Sequence, residues 1–218
     1  MTIRLKILRE LRIFCKEYFK NCDYFVLVYG SYASNDFTEE SDLDLFIAID
    51  KKDLTDFKKV SNFIVNLHTR NNLTINEEVP YENKLIVSYD DAIDAIDLKA
   101  FIKNGSKYII PPVTADKEFL ASKEVRFRII LNALTSPNQF ICGNKNKYNL
   151  LKQKAEKAII KLAYGLAKKS ELTQEEILNI ILIGASGEKS GDYLGYRNHR
   201  PKVIKYLKKL ILHNIYYL

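Results

Sequence analysis

The sequence predicts an α+β protein built in two parts. Residues 1–113 alternate apolar runs of strand type with amphipathic helical stretches, which indicates one layered unit of strands and helices. The two prolines of "IIPPV" (109–113) interrupt this pattern. Beyond them, apolar residues recur at helical spacing almost throughout. We therefore expect two domains, a layered domain over residues 1–113 and an all-α helical bundle over residues 114–218.

The elements of the first part follow from the period of the apolar residues. Short apolar runs indicate strands, and an i, i+3, i+4 spacing indicates helices. The expected order is a helix at about 3–20, strands at 24–30 and 43–50, a helix at about 52–69, a strand at 73–79, a short segment at 84–88 and a helix that begins near Asp90.

Four helical stretches are expected in the second part. Their sequences are "EFLASKEVRFRIILNAL", "YNLLKQKAEKAIIKLAYGLA", "TQEEILNIILIGA" and "PKVIKYLKKLILHNIYYL". Thr173 and Glu176 have the spacing of a capping box at the start of the third stretch, and Pro201 suits the first turn of the fourth. The polar side of the second stretch carries Lys154, which we propose as a phosphate-binding residue, although a solvated helix face is the plainer interpretation.

Composition excludes several classes of protein. No run approaches the roughly 18 apolar residues that a membrane helix needs. Basic residues recur through the first 20 positions, so these lack the continuous apolar core that a signal peptide requires. The three cysteines are scattered and odd in number, which argues against a disulfide framework or a zinc site. We expect a cytoplasmic protein with no membrane partner.

Charge is divided unevenly between the two parts. Residues 114–218 hold 19 Lys and Arg against 9 Asp and Glu, whereas residues 1–113 hold 15 against 18. A basic second half favours phosphate-bearing partners over cationic ones.

Two aspartates spaced one residue apart lie at the start of the second expected strand. Alternate strand residues point to opposite faces, so Asp42 and Asp44 share a face while Leu43 and Leu45 point to the other. Ionised carboxylates this close repel each other unless a cation lies between them, and oxygen ligands with bound phosphates suit Mg²⁺. Upstream, Gly30 and Ser31 end a strand before a helical turn, where backbone N–H groups and a hydroxyl are suited to bind phosphate oxygens.

The stretch "GSYASNDFTEESDLDLFI" resembles the signature of the DNA-polymerase-β-like nucleotidyltransferases, in which Gly-Ser is followed by Asp-x-Asp on the next strand. The resemblance implies a mixed sheet with flanking helices. It also implies that Asp42 and Asp44 bind two Mg²⁺ ions, that Gly30 and Ser31 hold the β- and γ-phosphates of a nucleoside triphosphate, and that an acceptor hydroxyl attacks the α-phosphate. Where many small members have Arg-Gly, this chain has Ser34-Asn35. Asn tolerates left-handed backbone angles, so the turn is expected to survive.

The resemblance also implies a third carboxylate on the strand within "NNLTINEEVPYENK". If Leu73 and Ile75 face the core, Glu78 lies on the opposite face and is the first choice for a metal ligand that also accepts the proton of the acceptor hydroxyl. Glu77 is the alternative if a bulge shifts the face. If the family acid aligns with Asn76, activity is weak or absent.

Three functions remain open. The first is transfer of a nucleoside monophosphate to an RNA end, such as a tRNA acceptor end, or to a protein hydroxyl. The second is transfer to a small hydroxylated antibiotic, and the third is a degenerate member that binds nucleotide or a partner without chemistry. The basic second half favours an anionic or neutral acceptor. His68 and His213 fit the buried or edge positions of amphipathic helices and are not expected to be ligands.

Overall fold

The structure is a computed structural model of the chain. The residues that it describes are 3–38, 41–50, 57–73, 86–97, 102–104, 107–109, 130, 133–169 and 201–215.

Six strands and six helices are numbered here in chain order. The strands are β1 (Tyr24–Val28), β2 (Leu45–Ile49), β3 (Ile86–Ser88), β4 (Ile102–Asn104), β5 (Lys107–Ile109) and β6 (Gln139–Gly143). The helices are α1 (Ile3–Tyr18), α2 (Gly30–Ser34), α3 (Phe57–Arg70), α4 (Tyr89–Ile96), α5 (Lys145–Lys169) and α6 (Pro201–Ile215). The helices and strands expected in residues 3–70, the segment at 84–88 and the helix near Asp90 are confirmed, with ends shifted by a few residues.

The main sheet has four strands in the order β3-β2-β1-β6. Strand β1 pairs antiparallel with β2, from Tyr24 opposite Ile49 to Val28 opposite Leu45. Strand β3 is parallel to β2, so the sheet is mixed, as expected for the α+β fold. Strands β4 and β5 form a separate antiparallel pair that the sequence patterns did not predict.

Strand β6 corrects the prediction that residues 114–218 are entirely helical. It pairs antiparallel with β1, with an irregularity in register between Val26 and Leu27. The segment "QFICG" contains an apolar run of three residues, which is too short for its period to distinguish a strand from a helix. Pairing with β1 shows that it is a strand. The domain division at residue 113 remains a prediction, and the sheet contains strands from both sides of it.

Both faces of the sheet are buried. One face carries Phe25, Leu27, Phe46 and Ala48, which cluster with side chains of α4 and α5. The opposite face packs against α1 and α3 through the alternate residues of β1 and β2. Every residue of β1 and β2 is buried, which explains why these strands form continuous apolar runs in the sequence.

Of the predicted bundle, the described residues include α5 and α6, which pack against each other. The Tyr206 hydroxyl of α6 donates to Oε1 of Glu156 on α5. At the start of α6, Lys202 Nζ donates to the backbone oxygen of Ser34 at the end of α2. Helix α6 begins at Pro201, as expected, and α5 includes the second predicted stretch. Most of the first stretch and all of the third lie outside the described residues. Within the described part of the chain, none of the helices combines the length and apolar character that crossing a membrane requires.

A substitution at Gly143 tests the pairing of β6 with β1. Its φ is +96°, and a Cβ there would overlap the backbone oxygen of Tyr24. We expect Gly143→Ala to lower the free energy of unfolding by at least about 1–3 kcal/mol, because both the backbone angle and the strand contact exclude a side chain. Chemical denaturation measures this loss. Lys145→Ala, an exposed change two residues later, is the control and should stay within about 0.5 kcal/mol of the wild type. Equal stability of Gly143→Ala and the control would contradict the pairing.

Candidate active site

The turn after β1 contains two residues with left-handed backbone angles, Gly30 and Asn35. Gly30, the first residue of α2, has φ +64°, in the left-handed region. Asn35 caps the end of α2 and is also left-handed, with φ 60° and ψ 37°. Its N–H donates to the backbone oxygen of Ser31. The expectation that Asn35 preserves the turn is therefore confirmed.

Asp44 lies directly against Gly30. The Tyr29 N–H donates to the backbone oxygen of Asp44 at 3.0 Å, which extends the pairing of β1 and β2 by one step. A Cβ on Gly30 would overlap Oδ2 of Asp44. Glycine is thus required at position 30 by two separate constraints, its backbone angle and the carboxylate beside it.

The predicted alternation of side chains around Asp44 is present. Leu43 and Leu45 are buried on the face covered by α1 and α3, whereas the next residue of the other set, Phe46, belongs to the cluster on the opposite face. Asp44 is only 1% exposed, and Asp42 is half-buried. Aspartate is seldom buried at the end of an apolar strand, so Asp44 marks this end of β2 as a candidate functional position.

Ser31 supplies a second polar group at this turn. Its side chain is 1% exposed, and its Oγ has no hydrogen-bond partner among the described residues. The neighbouring Ser34 Oγ, by contrast, donates to the backbone oxygen of Gly30 at 2.8 Å. A buried hydroxyl without a partner requires an explanation, and a bound ligand is one.

Asp42 influences a buried tyrosine on α2. Burial raises the pKa of Tyr32, and the negative charge of Asp42 raises it further, while the positive charge of Arg4 opposes the change. Arg4 also fixes the turn mechanically, since its Nε donates to the backbone oxygen of Tyr32 at 3.0 Å and its Nη2 donates to Gln139 Oε1 at 2.7 Å. Helix α1, helix α2 and strand β6 are joined by this single side chain.

The segment between the two aspartates is held by a histidine that sequence reasoning assigned to a core or edge position of its helix. The Leu43 N–H donates to Nε2 of His68 at 3.1 Å, and Nδ1 of the same ring lies 2.8 Å from the backbone oxygen of Ile64. His68 is fully buried, as the amphipathic pattern of α3 predicts. Its contact with the backbone of the aspartate segment was not predicted. The spacing of apolar residues in a helix indicates which side chains are buried, but it does not indicate which distant segment they contact.

Comparison with known families identifies this arrangement. Residues 8–107 match the family model described as a nucleotidyltransferase domain. This part of the chain is similar to a nucleotidyltransferase domain. The match includes Gly30, Ser31, Asp42 and Asp44 and confirms the resemblance to the polymerase-β-like superfamily. It covers slightly less than half of the chain and ends before β6 and α5. Searches of the curated proteins and of the solved structures gave no significant match.

The oxygen-bearing side chains at this turn fit a hard divalent cation. Asp42 and Asp44 offer carboxylate oxygens, which are the ligands that Mg²⁺ prefers in proteins. Gly30 has no side chain that would cover Oδ2 of Asp44. The buried Ser31 Oγ has no hydrogen-bond partner among the described residues and can bind an oxygen of a ligand. Within the described ranges, no group of three or more acidic, His or Cys side chains converges.

The remaining predicted site residues are not joined to this turn by the described contacts. Glu78 and its alternatives Glu77 and Asn76 lie outside the described residues. Lys154 is described and is exposed on α5, which agrees with its predicted position on the polar side of that helix. Its role at phosphate stays a prediction.

Two other lysines make side-chain contacts with described residues, and the sequence patterns did not indicate them. Lys202 contacts the last residue of the α2 turn, as described above. Lys152 of α5 is mostly buried, donates to Asn138 Oδ1 at 3.2 Å and lies 3.7 Å from Glu156. Burial lowers the pKa of Lys152, and the charge of Glu156 partly opposes the change. Both lysines are on polar faces of helices, but only tertiary packing distinguishes them from the other lysines there.

Gly30 provides a direct test of the turn. We expect Gly30→Ala to lower the free energy of unfolding by at least about 1–3 kcal/mol, because a methyl group would occupy the position of the Asp44 carboxylate and would need a left-handed backbone. The matched control is Asn35→Gly, at the other left-handed residue of the same helix. It removes a side chain where glycine is well accommodated and should change stability by less than about 1 kcal/mol. The described contact is wrong if both variants unfold at the same denaturant concentration as the wild type.

Proposed function

We propose that the protein is a Mg²⁺-dependent nucleotidyltransferase that moves a nucleoside monophosphate from a nucleoside triphosphate to a hydroxyl acceptor. The observation that carries the proposal is the buried Asp44 carboxylate in contact with Gly30, on the turn that also holds the buried and unpartnered hydroxyl of Ser31. Under the proposal the carboxylate binds metal and the hydroxyl binds phosphate. Both residues lie within the segment that matches the nucleotidyltransferase family model, which supports these roles.

Each site residue has a distinct part in the proposed reaction. Asp42 and Asp44 hold the metal ions, and Gly30 and Ser31 bind the β- and γ-phosphates. Bound Mg²⁺ supplies positive charge that offsets the triphosphate and the two carboxylates. The acceptor oxygen forms a bond to the α-phosphorus, the bond from that phosphorus to the bridging oxygen breaks, and pyrophosphate leaves. The proton of the acceptor hydroxyl passes to a third carboxylate, for which Glu78 is the candidate.

An RNA acceptor is the best supported of the acceptors considered. Helices α5 and α6 together contain twelve lysines and one acidic residue. That single acid, Glu156, is engaged by Lys152 and Tyr206, so it does little to offset the surface charge. The two helices pack together, and Lys202 at the start of α6 contacts the α2 turn. A polyanion bound along them would lie beside the nucleotide, whereas a polycationic antibiotic would be repelled.

The aspartates provide the central test of the chemistry. We expect Asp42→Asn and Asp44→Asn each to reduce nucleotidyl transfer by more than about 100-fold, because each change removes the charge of a metal ligand. Loss of a residue that only hydrogen-bonds to a metal ligand already costs about 10- to 100-fold. The fold should be retained or even stabilised, since one of two neighbouring charges is gone. The assay measures label transferred from each α-labelled nucleoside triphosphate to total RNA, to hydroxylated antibiotics and to the protein itself.

Asp50→Asn is the matched control for these variants. Asp50 follows the opposite end of the same strand and is exposed, with its Oδ1 accepting from the Asp23 N–H at 3.1 Å. Its transfer rate should stay near that of the wild type. Full transfer by the Asp42/Asp44 double variant would overturn the proposal. Mg²⁺-dependent nucleotide binding without any transfer would favour the degenerate alternative and direct attention to Asn76.

The acceptor surface is tested separately by charge removal. Lys154, Lys157 and Lys161 are exposed on one side of α5. We expect the triple alanine variant to bind RNA more weakly and to reduce the slope of log K against log salt by on the order of 2–3, because each lysine that contacts a phosphate accounts for about one unit. Fluorescence anisotropy over a range of salt concentrations measures both quantities.

A triple alanine variant at Lys16, Lys20 and Lys58 controls for net charge. These lysines are exposed on or beside α1 and α3, away from α5 and α6. This control variant removes the same charge from the protein and should retain most of the slope of log K against log salt. Equal losses in the two triple variants would mean that RNA binds through net charge alone and not through the surface of α5 and α6.

A further inference from the structure

The backbone between the two aspartates is anchored from both sides. On one side, the Tyr29 N–H of the neighbouring chain segment donates to the backbone oxygen of Asp44 at 3.0 Å. On the other side, the Leu43 N–H donates to Nε2 of His68 at 3.1 Å. Strand β2 begins only at Leu45, so the ladder between β1 and β2 does not itself include Leu43. The histidine replaces the missing sheet partner at this position.

The hydrogen bonds of His68 define its state. A backbone N–H can only donate, so Nε2 accepts and carries no proton. Nδ1 therefore carries the ring proton and donates to the backbone oxygen of Ile64 at 2.8 Å, one turn earlier in α3. The ring is fully buried and neutral, with both nitrogens engaged. This arrangement gives the imidazole one orientation.

Helix α3 holds this ring in place at its own end. The backbone oxygen of His68 accepts from the N–H groups of Asn71 and Leu73 at 3.1 and 3.0 Å, as the chain leaves the helix through Asn72 with φ 54°. The side chain of Leu43 is buried in the same cluster as Ile64 and Leu67. The link between the aspartate segment and α3 therefore combines apolar packing with a directed hydrogen bond.

We infer that His68 is a positioning residue that fixes the backbone between Asp42 and Asp44 and thereby holds their carboxylates at the spacing that a divalent cation needs. This inference rests on the proposed metal site. Two carboxylates brought together repel each other, so a mobile segment would separate them before the cation arrives. Anchoring Leu43 N–H to a rigid helix opposes that separation, in the manner of the outer partners that orient metal ligands. In this role His68 acts on the two aspartates through the backbone N–H of Leu43.

The test compares two substitutions with opposite effects on the hydrogen bond. His68→Leu removes the acceptor and leaves the buried Leu43 N–H without a partner, whereas His68→Gln retains an acceptor oxygen near the position of Nε2. Mn²⁺ serves as the probe, and its free concentration is measured by electron paramagnetic resonance with the whole chain. We expect His68→Leu to weaken Mn²⁺ binding by about 10- to 100-fold and His68→Gln to restore most of the affinity.

Transfer kinetics provide a second measurement. In His68→Leu the Mg²⁺ concentration for half-maximal transfer should rise by a similar factor, and excess Mg²⁺ should recover part of kcat. Val60→Ala, a buried truncation in the same helix and cluster, controls for a general loss of stability. Its Mg²⁺ requirement should match that of the wild type once rates are corrected for the folded fraction.

The outcomes separate this inference from the proposed function. Mn²⁺ binding by the wild type that is lost in Asp44→Asn supports the metal site. If His68→Leu then binds Mn²⁺ as tightly as the wild type, or if Val60→Ala shows the same weakening, the role of His68 is overturned while the metal site stands. If the wild type shows no Asp44-dependent binding of Mn²⁺, both proposals fail.

Discussion

The close approach of Gly30 to Asp44 is the constraint on which the site depends. Strands β1 and β2 pair until Val28 and Leu45, and the Tyr29 N–H extends the contact to Asp44. One residue further along, the backbone at Gly30 is so close to the Asp44 carboxylate that no side chain fits at position 30. The sheet therefore brings the α2 turn and the acidic segment together through backbone pairing, which is more rigid than contact between two loops.

The apolar core makes this contact durable. Both faces of β1 and β2 are covered, so the strands that end at the site are fixed by packing over their whole length. Where β1 and β2 end at the site, the Tyr29 N–H and the Leu43 N–H each have a directed partner, and the buried Ser31 hydroxyl has a position that suits a ligand. His68 and Arg4 show the same principle in two places, since each is a side chain from a helix that holds a backbone group beside the site.

Parts of the chain far from the signature complete the scaffold. Strand β6 lies more than 90 residues beyond β2, yet it occupies the edge of β1 that would otherwise be unpaired. Helix α5 follows it and covers the face to which Phe46 belongs. The matched nucleotidyltransferase segment ends at residue 107, so these later elements contribute part of the core of the sheet itself. The lysine-rich helices that favour an anionic acceptor are thereby attached to the same sheet as the aspartates.

The sequence by itself determined the elements with strong local signals. Apolar period located α1, β1, β2, α3, α5 and α6, and alternation on a strand separated Asp44 from Leu43 and Leu45, because these properties depend on near neighbours in the chain. Only the tertiary structure decided that "QFICG" is a strand, that Lys202 rather than Lys154 meets the α2 turn, and that His68 holds Leu43. Each of these is a contact between segments distant in sequence, and a local pattern shows that a residue is buried or exposed without showing which partner it meets.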